Sequence, residues 1–267
     1  MKKNGQGFRS SIRHSISAAL IVTGLVAALV TSLVAISAGP ALAESKTIPK
    51  YGLEASRLYS NHAYLQKNPA PDFWALMPYY VHQQSGSACS IASATMVLNG
   101  IRAPENLTSS IELFTQNSVL ERTGDSKWTR AVGKMGGGAT LDELRGYFSE
   151  ALEKLRLQGW QVEALHADGS PGFAKQVHAI LIENEKSDRS FIIMNYLQNV
   201  LTGDPEGAVG HVAPVAAFDA KAGRVLVLDP DRDYYEPYWV SETAFIRSMN
   251  TVDKASGKTR GLLWIHR

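Results

Sequence analysis

The stretch QQSGSACSIASATMVLNG, residues 83–100, holds the only cysteine of the chain, Cys89. It sets a thiol just after a Gly/Ser-rich turn and at the head of an apolar periodic run. Ile91, Ala94, Thr95 and Leu98 recur at i, i+3, i+4 and i+7, which predicts a helix over 88–99 with Gly100 as its C-terminal cap. Ser87 stands where an N-cap belongs, its oxygen accepting from the first free amides. Cys89 then lies in the first turn, where the positive end of the helix dipole favours a thiolate.

The rest of the chain bounds what this thiol does. With 267 residues, of which 45% are hydrophobic and 19% charged, the sequence supports one substantial globular core. Its formal net charge is +2, and Lys2, Lys3, Arg9 and Arg13 supply several of the positive charges, so the body is nearly neutral. Neither nucleic-acid binding nor a polybasic membrane surface is supported. Those basic residues precede a segment without charge, 15–43, in which Ala41 and Ala43 occupy the small-residue positions of a cleavage site. A secretory signal over 1–43 is expected, cleaved after Ala43. The apolar segment 16–36 is also long enough to span a bilayer, which leaves an uncleaved anchor as the alternative and the only route to membrane association. In both cases the body is expected to be exported, in the periplasm or otherwise outside the cytoplasm.

Exported proteins use cysteines mostly in disulfide pairs. A lone one is a small buried apolar residue, half of an intermolecular disulfide, or a reactive thiol. Its companions in the fold decide among these.

Residues 44–71 read as a polar, Pro-punctuated N-terminal extension, and 72–267 as one catalytic domain. TLDELRGYFSEALEKLRLQG, 140–159, opens with a capping box of Thr140 and Glu143, and 172–185 has helical apolar spacing. The preceding KMGGGA, 134–139, lacks the Gly-Lys-Ser/Thr ending of a phosphate loop and reads as a flexible turn. The period then changes. FIIMNYL (191–197), HVAPVAAF (211–218), RVLVLDP (224–230) and GLLWIHR (261–267) are short apolar strands, with DAKAG (219–223) a hairpin turn between the second and third. An α+β fold is expected, its helical N-terminal part packed on a mainly antiparallel C-terminal sheet.

Nucleophilic cysteine chemistry needs a base, a group that orients the base, and donors for an oxyanion. Gln83, six positions before Cys89, is near enough to join the Cys89 amide around one oxygen. His211 begins a strand and Asp229 ends the next, so the hairpin makes them neighbours and Asp229 can hold the imidazole tautomer. The order Gln, Cys, His, Asp resembles that of papain-like cysteine enzymes.

A more specific resemblance rests on residues 83–100, on TLDEL, on FIIMNYL, on GHVAPVAAFDAKAGRVLVLDPDRDYYEPYWV (210–240) and on SMNTVDKASGKTRGLLWI (248–265). Over roughly 72–265 the chain resembles the catalytic domain of phytochelatin synthase, a glutathione γ-glutamylcysteinyltransferase, in its short bacterial form. The resemblance implies that Cys89 is the nucleophile that takes a γ-glutamylcysteinyl group from glutathione and expels glycine. It makes His211 the base and acid, Asp229 its orienter and Gln83 an oxyanion donor. It assigns binding of the γ-glutamylcysteine moiety to Asn195, Gly210, Asp253 and Arg260. Arg232, with Tyr235 and Trp239, is similar to positions linked to substrate or acceptor binding.

Departures from the family pattern carry expectations of their own. Ser90 replaces a common glycine, which implies a side chain beside the acyl site. The stretch LTGDPEGAVG, 201–210, looks expanded. The Cys-rich C-terminal region of the long eukaryotic forms is not seen, which implies relatives that mainly hydrolyse glutathione to γ-glutamylcysteine and glycine. No cofactor is expected to be required, and no resident metal. Cadmium or zinc would act as thiolate complexes with glutathione, and a homodimer is possible by analogy. Two rivals stay open: an exported bacteriocin-processing-like cysteine peptidase, and an inactive papain-like periplasmic binding domain.

Overall fold

The computed structural model of the protein describes residues 49–106 and 108–267. The expected signal or anchor, 1–43, lies outside the described residues. Among the described residues no helix is long and apolar enough to cross a membrane.

Among the described residues seven strands form one sheet: β1 (Ala55–Arg57), β2 (Gln161–His166), β3 (Ser190–Leu197), β4 (Gly210–Asp219), β5 (Arg224–Val227), β6 (Tyr238–Ser241) and β7 (Gly261–His266). Their order is β1-β6-β5-β4-β3-β7-β2, and every pairing is antiparallel. The α-helices are α1 (Ala63–Lys67), α2 (Pro71–Leu76), α3 (Cys89–Gly100), α4 (Gln116–Thr123), α5 (Ser126–Ala131), α6 (Leu141–Lys154), α7 (Pro171–Asn184), α8 (Gln198–Thr202) and α9 (Glu242–Met249). The fold is α+β, as expected, and its arrangement is that of a papain-like protein.

One face of the sheet packs against α2 to α6, joining Ile91, Leu98, Trp128 and Phe148 to Ile193, Val212 and Leu263. The other packs against α7 to α9, joining Val177, Leu181, Phe245 and Met249 to Met194, Tyr196 and Val227. The order of elements is thus less segregated than the sequence suggests, because α7, α8 and α9 interleave with the strands. Antiparallel neighbours need only short turns, so helices between strands are free to cover the second face.

Helix α3 departs from its expected single apolar face: all twelve of its residues are buried. It is rich in Ala, Ser and Thr, small enough for the sheet and its neighbouring helices to close around it on every side. Burying each of Ile91, Met96, Val97 and Leu98 stabilises the fold by roughly 1.5–3 kcal/mol. Gly100 is the last helical residue, not the cap. A Cβ there would come within 2.8 Å of Leu76 Cδ2 and 3.3 Å of the Phe191 ring, so close packing of α2, α3 and β3 needs glycine.

The capping box of α6 forms as expected, with Thr140 Oγ1 accepting from the Glu143 amide at 3.3 Å and Glu143 accepting from the Thr140 amide at 2.9 Å. Ser87 does not cap α3. Its hydroxyl instead donates to the Gly136 carbonyl, and no side chain caps that helix.

Candidate active site

The missing cap leaves the first-turn amides of α3 without a side-chain acceptor, directly beside Cys89. An oxygen brought there by a ligand meets free donors and the positive end of the helix dipole. The thiol itself is buried and unpaired. One turn further on, the Ser93 hydroxyl donates to the Val212 carbonyl at 3.0 Å. That bond fixes the separation between α3 and β4, hence between Cys89 and the residue preceding Val212, which is His211.

His211 Nε2 lies 2.7 Å from Asp229 Oδ1, with both side chains buried. A β-bulge makes the contact possible. From Asp219↔Arg224 to Ala217↔Leu226 the β4–β5 ladder runs in one register, and at Val215↔Val227 it has slipped by one residue. The Leu228 amide continues the shifted register with a bond of 3.0 Å to the Pro214 carbonyl. Asp229 then falls across from Ala213, on the same face as His211 two residues along. Without the extra residue, Ala216, Asp229 would face the other way, because a slip of one residue inverts every side chain. Pro214 fits beside the bulge because it cannot donate to the ladder.

Asp229 carries more than its histidine. Oδ1 also accepts from the Asp231 amide at 2.9 Å, while Oδ2 accepts from the hydroxyls of Tyr238 at 2.9 Å and Tyr196 at 3.1 Å. Its backbone carbonyl accepts from the Tyr80 hydroxyl at 2.6 Å. Burial opposes its charge, but His211 and these donors outweigh burial and hold the carboxyl below the ordinary range. For His211 burial likewise disfavours the cation, and the Asp229 carboxylate, with a hydrogen bond and the charge of Cys89, lifts its pKa well above the usual value. The imidazole bonds Asp229 through Nε2 and shares the cleft with Cys89, which sets orienter, base and thiol in sequence.

Around Cys89 and His211 opens a cleft of about 280 Å³, lined also by Asn195, Gly210, Asp253 and Arg260. Sequence reasoning named all four. Adjacent strands bring three of them together: Asn195 on β3 pairs with Val212 on β4, which begins at Gly210, and with Gly261 on β7, which Arg260 immediately precedes, while Asp253 comes from the loop before β7. Arg260 is buried. Its Nη1 donates to the Val252 carbonyl at 2.7 Å, its Nη2 is 3.8 Å from Asp253, and its Nε has no partner. Burial lowers its pKa, with Asp253 opposing. Gly210 makes room for this guanidinium, since a Cβ would come within 2.7 Å of Arg260 Nη2. Asn195 Oδ1 is also buried without a partner. An unpaired donor and an unpaired acceptor thus belong to residues that line one cleft.

The opposite wall, 137–140 with Glu143, was not named from the sequence as part of a site. The glycine turn before α6 therefore bounds the cleft. Asp142 at its edge is tied to the other side, accepting from Lys258 Nζ at 2.6 Å and facing His166 Nε2 at 3.2 Å.

Several named residues lie elsewhere. Gln83 is buried on the approach to α3, its backbone amide donating to the Pro230 carbonyl at 2.9 Å and its side-chain Oε1 unpartnered. Arg232 sits 4.9 Å over the ring of Tyr80, outside the cleft. The Tyr235 hydroxyl donates to Asp204 at 2.7 Å, and Trp239 is fully buried with its indole donating to the Asn61 carbonyl at 2.8 Å. The Ser90 side chain does not stand beside the acyl site as expected. It points into the core and accepts from Trp128 Nε1 at 3.2 Å. Successive helix residues diverge by about 100°, so Cys89 can face the cleft while Ser90 faces α5. Tyr196 and Tyr238 were missed, although a tyrosine inside the apolar strand FIIMNYL needs a buried hydroxyl partner and so signals one. Among the described residues no three His, Cys, Asp or Glu side chains are grouped to hold a metal ion.

A family model described as phytochelatin synthase matches residues 44–262. The chain is 27% identical over 209 residues to glutathione gamma-glutamylcysteinyltransferase 1 of Lotus japonicus, covering 76% of this chain and 37% of that protein. It is 26% identical over 206 residues to glutathione gamma-glutamylcysteinyltransferase 2 of Arabidopsis thaliana, covering 76% of this chain and 41% of the relative. A shorter match, 36% identical over 76 residues, covers 28% of this chain and 17% of the glutathione gamma-glutamylcysteinyltransferase of Schizosaccharomyces pombe. The chain thus spans about two-fifths of the length of the plant relatives it matches.

Proposed function

We propose, from the premise that the chain belongs to the phytochelatin synthase family, that it is a glutathione-processing cysteine enzyme with Cys89 as nucleophile. The observation that carries this reading is the pair of unsatisfied buried groups, Arg260 Nε and Asn195 Oδ1, among residues lining the cleft of Cys89 and His211. A γ-glutamyl head offers a free carboxylate and a free ammonium. Arg260 suits the first and Asp253 the second, while Asn195 accepts from an N–H of the bound peptide.

With that head in place, Sγ of Cys89 attacks the carbonyl carbon of the Cys-Gly peptide bond. A carbon–sulfur bond forms, and the developing oxyanion takes hydrogen bonds from the first-turn amide of α3 and from Gln83. The carbon–nitrogen bond then breaks as His211 gives its proton to the departing glycine. Water attacks the thioester with His211 as base, releasing γ-glutamylcysteine and restoring the thiolate. When the α-amine of a second glutathione attacks instead, the product is a short phytochelatin. Cadmium or zinc enters as part of the substrate, bound to its thiolate. Arg232 and Tyr235 act on this chemistry at most through Tyr80 and the segment following Asp229.

The test is direct. The full chain in mild detergent is incubated with glutathione, with and without cadmium, beside Cys89→Ala, and products are identified by mass spectrometry. Glycine and γ-glutamylcysteine that appear only with Cys89 intact support the reading, and longer thiol peptides add transfer to hydrolysis. Untouched glutathione with rapid alkylation of Cys89 refutes the substrate and favours a peptidase that cuts other peptides.

A further inference from the structure

Helix α4 begins with Gln116, a residue that a helix start ordinarily leaves in solvent, yet it is only 5% exposed. Both ends of its side-chain amide are committed to a single loop. Nε2 donates to the His82 carbonyl at 2.8 Å, and Oε1 accepts from the Gln84 amide at 3.3 Å. The two bonds straddle Gln83. From the opposite side, the Gln83 amide donates to the Pro230 carbonyl at 2.9 Å, next to Asp229. Three consecutive residues are therefore held by backbone bonds.

The Gln83 side chain is not held in the same way, since its buried Oε1 has no partner. Its direction follows from the Cα–Cβ bond, which the flanking peptide planes set. Gln116 fixes those planes, and it can do so rigidly because its helix is anchored by the capping box of Thr115 and Ser118 and by fully buried Val119. We propose that Gln116 is a positioning residue for Gln83, aiming the side-chain amide of Gln83 at the oxyanion formed on the substrate carbonyl. The proposal rests on the reading of Gln83 as an oxyanion donor.

The consequence is selective. Alkylation of Cys89 by iodoacetamide forms no oxyanion and depends only on the thiolate, its imidazole and access, whereas acylation by an ester or a peptide requires the donor. The experiment compares the full chain with Gln116→Ala, Gln116→Met, Gln83→Ala and the double variant Gln83→Ala/Gln116→Ala. Gln116→Met keeps the packing volume and removes both bonds, so loss of the clamp is separated from a cavity. Three rates are read: glycine release from glutathione, the acylation burst with p-nitrophenyl acetate, and alkylation by iodoacetamide.

Both Gln116 variants are expected to lower kcat for glycine release and the acylation burst by about tenfold, the scale of a small misalignment of a catalytic group. KM and the alkylation rate should stay within about twofold of the parent, because neither depends on an oxyanion donor. In the Gln83→Ala background, removing Gln116 should change nothing further, as two residues acting through one function are not additive. An undiminished burst, an equal fall in alkylation, or a second full loss in the double variant overturns the proposal. If the parent releases no glycine from glutathione, the substrate reading fails on its own, and the p-nitrophenyl acetate arm still decides the role of Gln116.

Discussion

His211 Nε2 and Asp229 Oδ1 stand 2.7 Å apart, eighteen residues apart in sequence, and both side chains are almost wholly removed from solvent. A buried ion pair of this kind gives little net stability compared with apolar packing, but breaking it strands a charge.

Asp229→Asn is therefore expected to cost about 3–5 kcal/mol of stability and to reduce kcat by roughly 10³–10⁴. Asp229 is depressed from 3.8, so its stabilisation is complete above that value and lost as pH falls through the lower folded one. His211 is raised from 6.5, so its stabilisation is complete below that value and lost as pH climbs through the higher folded one. The melting-temperature gap between the parent and Asp229→Asn should be widest between about 4 and 6.5 and narrow on both sides. The alkaline limb of kcat/KM should lie well above 6.5 in the parent and move down in the variant, where burial acts on His211 unopposed by the carboxylate. A limb that stays in place would contradict the assignment of Asp229 as orienter.

The two tyrosines make a graded prediction. Tyr196→Phe and Tyr238→Phe each remove one donor to Oδ2 of a charged carboxylate, at a cost of about 1.5–3 kcal/mol. Together they leave that oxygen with no hydroxyl donor, so the double variant should lose more than the sum. Asp229 then becomes easier to protonate, and the acid unfolding midpoint should move to higher pH. Denaturant titrations at several pH values measure both effects.

Gly210→Ala separates binding from folding. The added methyl meets the end of a flexible side chain, Arg260 Nη2, rather than backbone. The guanidinium should yield, leaving the melting temperature within a few degrees of the parent while KM for glutathione rises at least about tenfold. Arg260→Lys should raise KM further, because an ammonium cannot reproduce the planar fork. Equal KM values for Gly210→Ala and the parent would remove Arg260 from the substrate site.

Ser90→Gly tests whether the residue after the nucleophile shapes the cleft. It loses the acceptor for the Trp128 indole and adds a glycine to a helix, together about 1–2 kcal/mol. KM should be unchanged, since the side chain faces the core. A fall in KM would show that Ser90 crowds the substrate after all.

Strong periodicity made α3, α6, α7 and the strands β3, β4, β5 and β7 legible in the sequence. The short β1 and β6 and the half-exposed β2 were not, since three or four residues carry no clear period and edge positions relax the alternation. In the site, chain order exposed Cys89, His211 and Asp229 as candidates, and family resemblance supplied Asn195, Gly210, Asp253 and Arg260. The bulge at Ala216 was hidden because an extra residue inside an apolar strand looks like any other. The tyrosines behind Asp229 and the clamp at Gln116 join segments far apart in sequence, and no local pattern records which partner a buried hydroxyl or amide will find.

Complete burial of α3 has a consequence for how the protein can change. A nucleophile that meets the cleft at the end of a helix otherwise enclosed by the core cannot be retuned locally, since each substitution in that helix perturbs the core on several sides at once. New specificity must instead arise in the segments that touch the cleft from outside the core: the glycine turn at 134–139, the stretch 201–210 and the loop 250–260. Chemistry and selectivity are thereby placed under separate mutational control. The first is as durable as the fold, and the second is open to drift.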